Sequence, residues 1–123
     1  MKKFFICQTC GKIITQIDER AVPTMCCGSP MNEIIAGVTD ASYEKHIPVL
    51  EIIGNKAKVF VGSVEHPMTP EHFIEWIVLE TDKGSQIKYL KPEMKPVCEF
   101  ALLDDEKVIS VYAYCNLHSL WKA

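Results

Sequence analysis

Four cysteines, Cys7, Cys10, Cys26 and Cys27, fall within the first 27 of 123 residues, and the four histidines, His46, His66, His72 and His118, all follow residue 45. Cys7-x-x-Cys10 is a spacing at which two thiolates from one turn grip one metal ion, and Cys26-Cys27 raises the sulfur donors to the four that a tetrahedral site takes. Gly11 and Gly28 follow the two pairs, where the backbone of a metal knuckle must turn tightly. A segment this short has no adequate core of its own, so bound metal supplies most of its folding energy. The other readings are a zinc ribbon without redox work, or disulfides. Spacing does not choose iron over zinc, and adjacent cysteines depart from the repeated C-x-x-C of the usual ribbon.

The second set is mixed in softness. Cys115-Asn116-Leu117-His118 places a thiolate and an imidazole three residues apart, close enough to bind one ion. His66 is followed by Pro67, which fixes the backbone, and His72 comes six residues on; His46 stands just before Ile47-Pro48. A single histidine near a strand end is ordinarily structural or solvated. Four of them with one thiolate make five donors, too many for a closed tetrahedral zinc site and suited to a transition metal with one position open. A thiolate opposite that position pushes electron density onto the metal, as in thiolate-ligated haems. Such a site is configured for redox chemistry on a small molecule. Glu44 and Lys45 precede His46; adjacent opposite charges on a loop are ordinarily just solvated, and only their place beside a ligand singles them out.

The elements that must position these groups read as strands. Val49 to Ile53 and Ala57 to Val61 are β-branched runs joined across Gly54-Asn55, a hairpin signal. Phe73 to Leu79 and Gln86 to Leu90 flank Thr81-Asp82-Lys83-Gly84, and Val97 to Leu103 and Val108 to Tyr114 flank Asp104-Asp105-Glu106-Lys107. Three hairpins without an amphipathic helix predict a small antiparallel sandwich of immunoglobulin-like kind, and an all-β chain. The period of two puts Ile109, Val111, Ala113 and Cys115 on one face, so Cys115 points inward at the mouth of the sandwich. Cys98 alternates with Phe100 and Leu102 and reads as a core thiol. Ala36 to Ser42 is small and polar, a linker or surface loop, and the domain boundary is expected near residue 37, giving 1–36 and 37–123.

Composition narrows the class further. With 48% hydrophobic and 24% charged residues the chain can bury a core, and no apolar run approaches the roughly 20 residues of a membrane span. A net charge of −3 and a pI near 5.8 give no basic footprint for nucleic acid or anionic lipid. An anionic substrate would have to be drawn by a local positive patch. Met1-Lys2-Lys3 is backed only by Phe4-Phe5-Ile6, too short an apolar stretch for a signal peptide, so a cytoplasmic location is expected. Six cysteines in a reducing compartment favour metal ligation or redox work over a disulfide framework.

Glu44-Lys45-His46-Ile47-Pro48, His66-Pro67-Met68, Ile74-Glu75-Trp76-Ile77 and Cys115-Asn116-Leu117-His118, with the early cysteine pairs, resemble the desulfoferrodoxins, the two-iron superoxide reductases, in order and spacing over essentially the whole chain. The resemblance implies a small rubredoxin-like, or desulforedoxin-like, domain over 1–36 holding one iron in Cys7, Cys10, Cys26 and Cys27. It implies an immunoglobulin-like catalytic domain over 37–123 whose second iron has equatorial His46, His66, His72 and His118 and axial Cys115. Glu44 would ligate the ferric iron, and Lys45 would stand beside the open position. The activity implied is one-electron reduction of superoxide to hydrogen peroxide. A rubredoxin or similar reductant as donor, a homodimer and low-oxygen life come with the family. One departure is Ser119, where the family pattern leads us to expect glycine after the last histidine.

Two rivals stand against this reading. A cupredoxin-like electron carrier also has a cysteine and histidine close together near the end of a β-sandwich, but no methionine follows His118 and two histidines would be left over. A zinc-ribbon binding module with an incidental sandwich is disfavoured by the acidic balance and the ordered histidines.

Overall fold

The structure is a computed structural model that describes residues 2–123, and the chain divides after Ile35 into two compact units. In the first, β1 (Phe4–Ile6), β2 (Ile13–Thr15), β3 (Met25–Cys26), β4 (Ser29–Pro30) and β5 (Asn32–Glu33) are each only two or three residues long. β1 lies antiparallel between β2 and β5, and β3 pairs with β4. Phe4, Cys7, Met31 and Ile34 are its buried apolar side chains among the described residues, while Ile17 and Val22 are exposed. So small a core cannot offset the entropy of ordering the unit.

The second unit contains one helical turn, α1 (Tyr43–His46), and seven strands: β6 (Pro48–Ile53), β7 (Lys56–Val61), β8 (Ile74–Thr81), β9 (Gly84–Tyr89), β10 (Val97–Ala101), β11 (Val108–Cys115) and β12 (Ser119–Lys122). They form an all-antiparallel sandwich of a three-stranded sheet, order β10-β7-β6, and a four-stranded sheet, order β12-β11-β8-β9. Ala57, Val59 and Val61 from β7 meet Ile77 and Leu79 from β8, Phe100 from β10 and Val111, Ala113 and Cys115 from β11 in one core. The alternating burial of β7 follows from the strand period of two, apolar residues inward and Lys56 and Lys58 outward.

Two expected hairpins are present. β6 and β7 pair from Pro48↔Val61 to Ile53↔Lys56 around Gly54, whose φ of 58° suits glycine at the turn. β8 and β9 pair around Asp82-Lys83, with strand ends one or two residues from those expected. The third hairpin is not formed. β10 pairs with β7, β11 with β8 and β12, and Asp104-Asp105-Glu106-Lys107 is the crossover between sheets. A polar turn cluster marks where a chain bends; it does not say whether the next strand stays in the same sheet. The burial pattern decides, since β8 and β11 are the two long, almost wholly buried strands and pair at the centre of their sheet.

A second correction concerns Ile109, which is 56% exposed rather than inward-facing. The β8–β11 register shifts between Val108 and Ser110, so the extra residue slips out of phase and Val108 packs on the core instead. Cys98 is half-buried against the core, and burial pushes its thiol up to about 12, consistent with an inert packing role. Among the described residues, no helix is long and apolar enough to cross a membrane.

Candidate metal centres

In the first unit the donor sulfurs of Cys7, Cys10, Cys26 and Cys27 lie within 4.8 Å of one another. The knuckle after β1 is closed by Gly11 N–H donating to the Cys7 carbonyl at 2.9 Å and Cys7 N–H to that of Lys12 at 2.9 Å. Gly11 and Gly28 have φ of 79° and 78°, the left-handed conformation these turns require. Cys10 N–H points at Cys7 Sγ at 3.5 Å, and this backbone donor holds the Cys7 thiol down to about 6. The remaining thiols crowd one another, Cys10 to Cys26 at 3.7 Å and Cys26 to Cys27 at 4.0 Å. Interaction with Cys7 and Cys10 pushes Cys26 up to about 12, and interaction with Cys10 and Cys7 raises Cys27. Four sulfurs this close cannot all ionise without a cation among them, and with one they all do. The donor set fits a thiophilic metal.

In the second unit His46, His66, His72 and Cys115 present one donor atom each within 4.8 Å of one another. His118 joins them, its Nδ1 3.1 Å from His46 Nε2 and 3.8 Å from Cys115 Sγ. The elements explain the convergence. His46 ends α1, His66 and His72 sit on the connection from β7 to β8, and Cys115 ends β11, with His118 in the turn to β12. Neighbouring imidazoles stand edge to face around a ring: His46 to His66 at 80°, His66 to His72 at 79°, His72 to His118 at 78° and His118 to His46 at 86°, all with centroids 4.6 to 5.0 Å apart. His46 and His72 face each other across it at 6.3 Å.

Hydrogen bonds fix which nitrogen each ring turns inward. His46 Nδ1–H donates to the Ser42 carbonyl at 2.7 Å and His66 Nδ1–H to that of Pro67 at 2.6 Å. A carbonyl can only accept, so both Nε2 atoms carry lone pairs, and they stand 3.1 Å apart. His72 Nε2 is buried without a hydrogen-bond partner. Burial pushes His66 down to about 4 and lowers His46 and His72, so these rings are neutral near pH 7. Neutral imidazoles with lone pairs converging in a dry site repel one another unless a cation accepts those pairs. Three Nε2 atoms, one Nδ1 and a thiol at 0% exposure fit a transition metal. Burial raises the Cys115 thiol, opposed by the Leu117 and His118 backbone amides.

Glu44 and Lys45 are exposed in α1 directly before His46. After burial, the Lys45 ammonium is among the causes that lower His46 and His72, so its positive field reaches this centre. The Met68 sulfur accepts Ile74 N–H at 3.4 Å and is tied to the chain. Sequence reasoning missed Trp121. Its indole, 1% exposed, lies over His46 at 4.9 Å and donates Nε1–H to the His118 carbonyl at 2.9 Å, supporting two rings of the set. Ser119-Leu120-Trp121-Lys122 is too short and does not alternate, so nothing local marks it as the fourth strand of the second sheet.

The family model described as Desulfoferrodoxin matches residues 38–123. A desulfoferrodoxin from Clostridium acetobutylicum is 44% identical over 119 residues, covering 97% of this chain and 93% of that protein. The crystal structure of a superoxide reductase from Treponema pallidum superposes with a TM-score of 0.85 at 38% identity, over 100% of this chain and 97% of that one. A superoxide reductase of the 1Fe type from Giardia intestinalis matches 65% of this chain and 95% of its own, with a TM-score of 0.56 and 34% identity.

Proposed function

The chain belongs to the desulfoferrodoxin family, and from that premise we infer that it is a superoxide reductase carrying two irons. The observation that carries the reading is the ring of four imidazoles around the buried Cys115 thiol, a donor set that leaves a position for a small ligand. In this reading residues 1–36 hold the first iron through Cys7, Cys10, Cys26 and Cys27. Residues 37–123 hold the second through His46, His66, His72, His118 and Cys115. Held there in the ferrous state, an iron would supply the one electron that, with two protons, converts superoxide to hydrogen peroxide without forming dioxygen.

The chain's own residues do the rest. Ser42 and Pro67 lock the tautomers of His46 and His66, so the rings need no reorganisation when a cation binds. Cys115 contributes a soft anionic donor from a fully buried place, where its charge is least screened. Lys45 draws the anion through its local field, which a chain of net charge −3 otherwise lacks, and holds a proton-donating water at the approach. Glu44, exposed beside His46, would offer a carboxylate to the metal in the oxidised resting state. A rubredoxin-like protein or comparable reductant returns the electron, the chain works in the cytoplasm, and it pairs as a homodimer.

The cupredoxin-like alternative is not favoured: blue copper takes two imidazoles, a thiolate and a weak thioether, whereas four imidazoles converge on this centre. Metal analysis with the visible spectrum and product assay of the oxidised and reduced protein tests the function. Two irons per chain, a thiolate-to-ferric band from the second, and one peroxide per superoxide without dioxygen are expected. One copper, or two zincs without turnover, would overturn it.

A further inference from the structure

Gly62 lies just beyond β7, against the main chain of the turn that carries Glu44, Lys45 and His46. A Cβ on residue 62 would stand 2.5 Å from the Glu44 carbonyl oxygen, 2.9 Å from that of Ile47 and 3.0 Å from the Lys45 carbonyl carbon. All three are backbone atoms, so no side-chain rotation relieves the clash. The other five glycines have left-handed φ and meet nothing within 4 Å. Those five serve the backbone's conformation; Gly62 serves close approach. The same corner clasps the turn by hydrogen bonds. Val64 N–H donates to the Glu44 carbonyl at 2.9 Å, and Ser63 Oγ donates to it at 3.2 Å. Gly62 N–H to the Val64 carbonyl at 3.2 Å and His66 N–H to that of Val61 at 2.9 Å close the corner on itself and lead directly into His66.

We propose that Gly62 with the Ser63–Val64 clasp is a positioning device that seats the Glu44–Ile47 turn. Through it His46 meets the imidazole ring and Lys45 stands at its edge, both in fixed relation to His66. The corner thereby couples two candidate ligands and the anion-attracting lysine, His46 and Lys45 lying 20 and 21 positions before His66. Gly62, Ser63 and Val64 are outside the donor set. The proposal rests on the proposed role of Lys45 only for its kinetic consequence; the seating itself is geometric.

The test compares the iron-loaded wild type with Gly62→Ala and Ser63→Ala by hydrogen exchange at Val64, and by the ionic-strength dependence of the second-order reaction with superoxide. Pushing the turn off its seat should speed Val64 exchange by about 10-fold or more in Gly62→Ala, because its acceptor moves. The superoxide rate should fall by about 10-fold, with the flattened salt dependence of a misplaced Lys45, since displacements near 1 Å cost up to 100-fold. Ser63→Ala, which adds no bulk, should shift both readouts in the same direction by about 2- to 3-fold. It decides the matter if Gly62→Ala does not fold. Unchanged Val64 protection and an unchanged salt slope in the folded variants would overturn the proposal. If Lys45→Ala itself reacted like wild type, the lysine's role would fail while the exchange data still judged the seat.

Discussion

The two metal centres are built on opposite principles. The four thiols of the first unit hang on strands of two or three residues over a handful of buried apolar side chains, and Cys10 and Cys27 are exposed. The five donors of the second end or connect long strands whose core is already complete. His46 and His66 have their tautomers locked by carbonyls, and Trp121 lies against the set. In the first unit the metal organises the protein; in the second the protein organises the metal. A centre that must react quickly with a transient anion gains from the second plan, because nothing has to move when the anion arrives. A centre that only holds an ion does not need it.

Removing both metals with a chelator should therefore produce the largest effect, and an uneven one. The first unit should lose backbone amide protection entirely, since structural thiolate sites of this kind contribute on the order of 10 kcal/mol of folding free energy. The central β8–β11 pair should stay protected. Equal protection in both units after chelation would show that the first unit folds without its metal.

Within the second centre Cys115→Ser should be the most damaging single change. It exchanges a soft thiolate for a harder, usually protonated oxygen in a fully buried place, weakening iron retention and the electronic push together. Loss of the charge-transfer band and at least about a 100-fold fall in superoxide reduction are expected, since even groups that only hydrogen-bond to ligands are worth about 10- to 100-fold. A normal spectrum and normal turnover would show that the sulfur is not a ligand.

Lys45→Ala touches only the approach to the second centre. The second-order rate should fall by about 10-fold and depend less on salt, because screening then has less attraction to remove. Glu44→Ala should spare that step and shift the oxidised spectrum. Stopped-flow or pulse-radiolysis rates at low and high ionic strength separate the two, and equal salt slopes for wild type and Lys45→Ala would return the pair to solvated charges.

A smaller effect is expected at Ser119, where glycine was anticipated. Its φ is 65°, a conformation that costs a residue with a Cβ roughly 1 kcal/mol. Ser119→Gly should raise stability by up to about that amount, offset in part by the glycine's unfolded-state entropy, with the superoxide rate unchanged. Thermal melts of the holoprotein measure it; destabilisation would mean that the serine hydroxyl matters more than its backbone.

What could be read in the sequence and what could not divide along physical lines. The first two hairpins were legible because local rules govern them: Gly54 in a left-handed turn and alternation along β7. That Cys7, Cys10, Cys26 and Cys27 form one group and His46, His66, His72, His118 and Cys115 another was legible from type and spacing. The crossover at Asp104 to Lys107 was not, because partner choice depends on which strands are buried on both faces. Ile109 was misplaced because a bulge resets the period of two without a local signal. Trp121 and Gly62 were missed for a shared reason. Their importance lies in what they touch, His46 above one and the backbone of residues 44–47 beside the other, and the sequence contains no trace of either contact.

In the proposed function, superoxide chemistry belongs to the second centre and does not need the first. Cys10→Ser tests it most directly, through iron content and the pulse-radiolysis rate of the reduced protein measured on one sample. One iron per chain is expected, with the second centre's charge-transfer band intact and a superoxide rate within about 2-fold of wild type, since no candidate donor or approach residue of that centre is changed. A variant that kept the second iron and its band yet lost the fast reaction would contradict it.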